Sequence, residues 1–126
     1  MFEDDDPVLA RVRDLALALP GAQEKVSHGR PAFFTTKVFA YYGGSLKVDG
    51  QWQEHPRAVM VLLDADDRAA LLEEERTFVP AYLGPSGWLG VDLPAPDDAG
   101  WDEVAELLDA SFRRTAPARS VRELDG

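Results

Sequence analysis

The residues best able to do chemistry lie in two short stretches. Ser27-His28-Gly29-Arg30-Pro31-Ala32-Phe33 sets a hydroxyl, an imidazole and a guanidinium around a glycine. Phe78-Val79-Pro80-Ala81-Tyr82-Leu83-Gly84-Pro85-Ser86-Gly87-Trp88 carries aromatics on a run of turn formers. Acid–base catalysis by His28 would need an orienting partner and a substrate proton within hydrogen-bond reach. Glu24 precedes it by four residues, about 13 Å on an extended strand, and Ser27 would point to the opposite face. A Ser–His nucleophile pair is poor geometry, so His28 reads as a turn anchor or a ligand contact before it reads as a catalyst. Gly29, between two strand-like runs, is expected at positive φ or pressed against a neighbouring backbone.

Metal and cofactor chemistry find little support. His28 and His55 are the only histidines and there is no cysteine, so a zinc site would need carboxylates to complete it. The acidic runs at Asp64-Ala65-Asp66-Asp67 and Glu73-Glu74-Glu75 are better explained as a helix cap and a solvated helix face. Gly84-Pro85-Ser86-Gly87 lacks the lysine and the helix start that a phosphate cradle requires. No metal, no cofactor and no enzymatic activity are expected. Phe33, Phe34, Phe39, Tyr41, Tyr42 and Trp52 interleave with Arg30, Lys37, Lys47 and Arg57, a mixture suited to nucleic acid, although strand alternation sends about half of such aromatics to a core. Tyr82 and Trp88 flank a loop and could line a groove. The candidate contacts for a nucleic acid or a ligand are thus His28, Arg30, Lys37, Lys47, Arg57, Tyr82 and Trp88.

Positioning these residues requires a scaffold, and the sequence indicates one. Asp6-Pro7 is a cap followed by proline at the first helical position. Val8, Leu9, Val12, Leu15, Ala16 and Leu19 then recur at helical spacing until Pro20-Gly21. From Ala22 to Leu63 the pattern is β-rich, with strands expected at Gln23–Ser27, Ala32–Thr36, Val38–Tyr42, Ser45–Val48 and Arg57–Leu63. Gly43-Gly44 reads as a two-residue hairpin and Asp49-Gly50 as a further turn. Asp64 caps a helix running to about Glu75, with Ala69, Leu71 and Leu72 inward. Thr77 to Pro85 is an irregular loop, and Gly87–Leu93 a strand. A third helix places Trp101, Val104, Ala105, Leu108, Ser111, Phe112 and Thr115 on one face, Pro117 ends it, and Ala118–Leu124 forms a short terminal helix. Consecutive strands followed by helices predict an α+β fold, a single antiparallel sheet with helices packed on one face. Residues 1–126 are expected to form one domain, with 1–6 an acidic, flexible N-terminus.

Charge limits the partners. The formal net charge is −10, distributed as −3 over residues 1–19, +2 over 20–63, −11 over 64–112 and +2 over 113–126. An acidic chain is repelled by nucleic acid and anionic membranes at long range. An anion site therefore belongs to the segment with Lys25, Arg30, Lys37, Lys47 and Arg57, or to the tail with Arg113, Arg114, Arg119 and Arg122. No apolar run has the length of a membrane-spanning helix, and the acidic start lacks the order of a signal peptide. A cytoplasmic monomer with no membrane partner is expected. Ten arginines against three lysines, beside abundant Ala, Asp and Pro, suggest a GC-rich bacterial genome.

Several stretches taken together resemble the MmcQ/YjbR family. They are Leu19-Pro20-Gly21-Ala22-Gln23-Glu24, Ser27 to Phe33, Lys37-Val38-Phe39-Ala40, Tyr82 to Trp88, Trp101 to Leu108, and Ser111 to Pro117, in order over nearly the whole chain. The resemblance implies a CyaY-like or double-wing α+β domain, commonly described as DNA-binding by structural analogy, with no settled catalytic residue or cofactor. Ser27, His28, Gly29, Arg30, Pro31, Lys37, Gly84, Gly87 and Trp88 match the family motif. Three expectations result. The first is a non-enzymatic domain that binds DNA weakly and through the backbone, using its sheet and the Ser27–Lys37 region. The second is an adaptor whose acidic helical face, residues 64–112, engages a basic protein. The third is a small-molecule or anion binder using His28, Arg30, Tyr82 and Trp88.

Overall fold

In the computed structural model, which describes residues 2–126, the Val8 amide donates to the Asp6 carboxylate at 2.9 Å and Pro7 opens the first turn. Helix α1 (Pro7–Ala16) thus starts where cap and proline place it, burying Val8, Leu9, Val12 and Ala16. The strands β1 (Gln23–Ser27), β2 (Arg30–Phe34), β3 (Val38–Val48) and β4 (Gln51–Leu62) follow in succession. After them come α2 (Ala65–Leu71), β5 (Thr77–Phe78), a 3₁₀ turn at Gly84–Ser86, β6 (Trp88–Asp92), α3 (Trp101–Thr115) and α4 (Ala118–Asp125). The six strands form one antiparallel sheet in the order β1-β2-β3-β4-β6-β5. This is the α+β architecture that the element order predicted. Among the described residues no helix is long and apolar enough to cross a membrane.

Of the two glycine turns expected between Val38 and Leu63, the structure makes the one at Asp49-Gly50 and not the one at Gly43-Gly44. Gly43-Gly44 does not make a hairpin. Strand β3 runs through it, and Gly43, at φ 82, is a bulge between the pairs Tyr42↔Val59 and Gly44↔His55. The reversal comes at Asp49-Gly50, with φ of 51 and 79, two successive left-handed residues whose twist matches the flanking strands. His28 and Gly29, at φ 53 and 77, do the same between β1 and β2, so β2 begins at Arg30. Nothing lies within 4 Å of where a Gly29 Cβ would sit, so conformation and not crowding makes glycine suitable there.

Register aligns Phe33, Ala40, Val61 and Leu89 across four strands, with Tyr42, Val59 and Val91 beside them. These residues join the core formed with α1 and α3. A bulge after Phe33 leaves Phe39 without a cross-strand partner on β2, and its ring meets Phe112 of α3 edge-on at 5.4 Å. Ser111 is the buried polar residue of this face. It accepts from the Leu62 amide at 2.8 Å and donates to the Phe39 carbonyl, which ties α3 to β3 and β4 without an orphaned hydroxyl.

Helix α2 is shorter than expected and buries no residue. It ends at Leu71, leaving Leu72 39% exposed, because Glu73, Glu74 and Glu75 put like charges where the helix dipole disfavours them. At the N-terminus, Phe2 packs against the core and Asp4 pairs with Arg13 at 2.6 Å.

Candidate ligand pocket

Alternation along the strands puts a second row, Ala32, Tyr41, Met60 and Gly90, on the face turned away from α1 and α3. The segment after β5 covers part of this face. Phe78 lies over two glycines: a Cβ on Gly44 would come within 2.8 Å of its ring, and a Cβ on Gly90 would overlap it. The same ring stacks on His55 at 4.0 Å, and the His55 Nδ1 sits 2.7 Å from an Asp92 carboxylate oxygen. Further along, the Ala81 amide donates to the Ser45 carbonyl at 2.9 Å, fastening the loop to β3.

Between this loop and the β1–β2 turn lies a cavity of about 420 Å³. Ser27, His28, Arg30, Tyr41 and Ser45 form its polar wall, and Met60, Ala81, Tyr82 and Leu83 its apolar wall. No carboxylate lines it. The Arg30 side chain, 25% exposed, donates from Nη2 to the Ser45 hydroxyl at 3.2 Å and stands 3.6 Å from Glu54. A Cβ on Gly43 would sit 2.9 Å from Arg30 Nη1, so the bulge glycine leaves the room that the guanidinium occupies. A second recess of about 420 Å³ opens behind Arg30 and His28, and there Glu54 contributes a carboxylate. Burial raises the Tyr41 phenol above its ordinary value, so it stays a neutral hydroxyl, and it bonds to no other group among the described residues.

Tyr82 stands at the mouth of the pocket, 83% exposed and at φ 66. Hydrogen bonds from Leu83 to Ala81 at 2.7 Å and from Gly84 to Pro80 at 2.9 Å hold the chain in that conformation. Trp52 lies 6.0 Å from the Tyr82 ring, and the Lys47 ammonium sits 5.5 Å from the Trp52 ring centre.

Of the seven residues singled out from the sequence, His28, Arg30 and Tyr82 meet in the pocket. Lys47 reaches its rim through Trp52. Trp88 is 8% exposed and packs on Tyr41 at 5.3 Å, backing the wall and not lining the cavity. Lys37 lies in the β2–β3 turn, at the opposite end of β2 from Arg30. Arg57 faces Asp6 at 3.7 Å beside the start of α1. Sequence reasoning missed Ser45, Met60 and Leu83, and treated Tyr41 only as an aromatic. Their common signal is the bond between the Ala81 amide and the Ser45 carbonyl, which no local spacing reveals.

The arrangement can hold an anion. Guanidinium, imidazole and hydroxyl groups donate, and charge-assisted bonds from arginine are the strong ones. Among the described residues no hydrogen bond joins a serine to His28 as nucleophilic catalysis would require, and no group of three His, Cys, Asp or Glu could hold a metal ion.

A family model described as YjbR matches residues 17–114. No curated protein matches the chain. Among solved structures it is similar to the Deinococcus radiodurans protein DR2400, a DUF419 domain, with a TM-score of 0.59 and 14% identity over 94% of this chain and 90% of that one. Identity that low carries the fold alone.

Proposed function

The chain belongs to the YjbR family, and from that premise we propose that it is a cytoplasmic, monomeric, non-enzymatic binding domain whose pocket beside Arg30 takes a small anion. One observation carries the reading. In a chain of net charge −10, the lining of this cavity has one guanidinium, one imidazole, four hydroxyls and no acid. A cation held partly out of water among hydroxyls, whose carboxylate neighbour Glu54 lies outside the cavity lining and is largely exposed, favours a carboxylate or a phosphate over a neutral or cationic guest. Thermal unfolding against a panel of millimolar carboxylates and phosphates tests it. A ligand at a hundred times its Kd raises stability by about 2.7 kcal/mol, and Arg30→Gln should abolish the rise. No stabilisation by any anion would overturn the proposal.

A second reading, weak backbone-directed DNA binding, is favoured by the exposed cluster of Lys47, Trp52 and Tyr82. Its phosphate contacts would be Arg30, Lys37, Lys47 and Arg57, a salt slope of at most about 4. Arg30 and Arg57 already face Glu54 and Asp6, which lowers the expected slope toward about 2. Anisotropy of a labelled duplex between low and moderate salt separates the readings, since duplex binding with a slope of about 2 or more would favour DNA. A basic protein partner would use the acidic stretch 64–112, where α2 leaves Leu72 exposed. Association lost on reversing charges in that stretch, with Arg30 intact, would favour this third reading.

A further inference from the structure

Resting on the anion-site reading, we infer that the ligand is an aromatic anion and that Tyr82 selects it by stacking. Tyr82 is a bulky residue at φ 66, a region that side chains with a Cβ adopt only at a cost. Burial does not offset that cost, because the residue is 83% exposed. Its one aromatic contact, with Trp52, leaves both rings exposed, so folding gives little reason to prefer a tyrosine there, where glycine or asparagine would be easier. Three backbone hydrogen bonds nevertheless hold the loop at this point, from Ala81 to Ser45, Leu83 to Ala81 and Gly84 to Pro80. The result is an aromatic ring presented at the mouth of a cavity whose near wall is Met60, Ala81 and Leu83 and whose polar wall holds Arg30. A flat apolar body against Tyr82 with its carboxylate or phosphate at Arg30 satisfies both walls. The cavity, about 420 Å³, suits a body of one or two rings. Trp52, 6.0 Å from the Tyr82 ring, borders the same opening and supplies an optical reporter.

The test uses the full chain and four probes: 1-naphthoate, phenyl phosphate, cyclohexanecarboxylate and inorganic phosphate, followed by calorimetry and tryptophan emission. Stacking should make naphthoate bind about tenfold more tightly than cyclohexanecarboxylate. In Tyr82→Asn that ratio should fall to about one and the ratio of naphthoate to phosphate affinity should fall about tenfold, while the unfolding midpoint does not drop because asparagine tolerates left-handed backbone. Tyr82→Phe should restore both ratios. An unchanged ratio in Tyr82→Asn, or anions bound without aromatic preference, would overturn the inference and leave the anion site standing. If none of the four probes binds, the anion site itself fails and the inference with it.

Discussion

On the helix-covered face of the sheet, Phe33, Tyr42, Val59, Val61, Leu89 and Val91 are exposed by 1% or less, and the buried hydroxyl of Ser111 has both a donor and an acceptor. On the opposite face Tyr41 is half-buried, the strands carry glycine at 44 and 90, and a loop with an exposed tyrosine takes the place of helices. The same strands build both. One face is filled by side chains and supplies stability, since close packing leaves no room for a guest. The other uses missing Cβ atoms to seat Phe78 and Arg30, and the space left over is the pocket. A mutation should therefore damage the fold on the first face and recognition on the second.

Leu108→Ala on α3 should have the largest effect, about 2–5 kcal/mol of lost stability in a denaturant titration, because it opens a cavity in the filled face. A loss well below this range would mean that the face is less tightly packed than described. Gly90→Ala crosses the boundary between the two. Its methyl group would overlap Phe78, so about 1–3 kcal/mol should be lost, and ligand affinity should fall as the loop shifts. Retained stability and affinity would show that the loop adapts freely.

Tyr42 tests the filled face through pH. Burial, followed by the bond to Asp6 at 2.5 Å, pushes its phenol above the ordinary range. A folded-state value above the unfolded one of about 10 adds stability that is fully present below that pH and lost as pH rises beyond it. The unfolding midpoint should thus fall more steeply above pH of about 10 in the natural chain than in Tyr42→Phe, a variant that should cost about 1.5 kcal/mol at neutral pH. Parallel pH profiles would remove Tyr42 as the cause. Arg30→Gln should have the smallest effect on stability, at most about 1 kcal/mol, because its partner Glu54 is largely exposed and solvent screens the pair. Anion binding should nevertheless disappear. A larger loss of stability would make Arg30 a structural residue.

The start of α1 and most of the buried stripe of α3 were legible because caps and helical periodicity are local, whereas α1 ends at Ala16, a turn before the Pro20-Gly21 stop that the sequence suggests. Sheet class was legible from the succession of β-rich runs. The role of Gly43 was not, since a glycine pair serves a bulge as well as a turn, and only the register against β4 decides between them. For the site, residue type flagged Arg30, His28 and Tyr82, but type does not tell which end of a strand or which face a cation occupies. Lys37 and Arg57 therefore lie elsewhere. The cost of left-handed backbone at Tyr82 had no sequence signal, because tyrosine is not a residue chosen for that conformation.

Strand order has a consequence for how quickly the molecule assembles. Strands β1 to β4 are sequential neighbours joined by short turns, so this meander can form through contacts close in sequence. Strand β6 must instead enter between β4 and β5 after the chain has passed through α2 and the loop, a longer closure that comes at greater entropic cost. Refolding followed by pulsed hydrogen exchange should protect the amides of β3 and β4 before those of β6, and simultaneous protection would reject this order. The pocket depends on the segment between β5 and β6, so binding competence should be the last property the chain acquires on refolding.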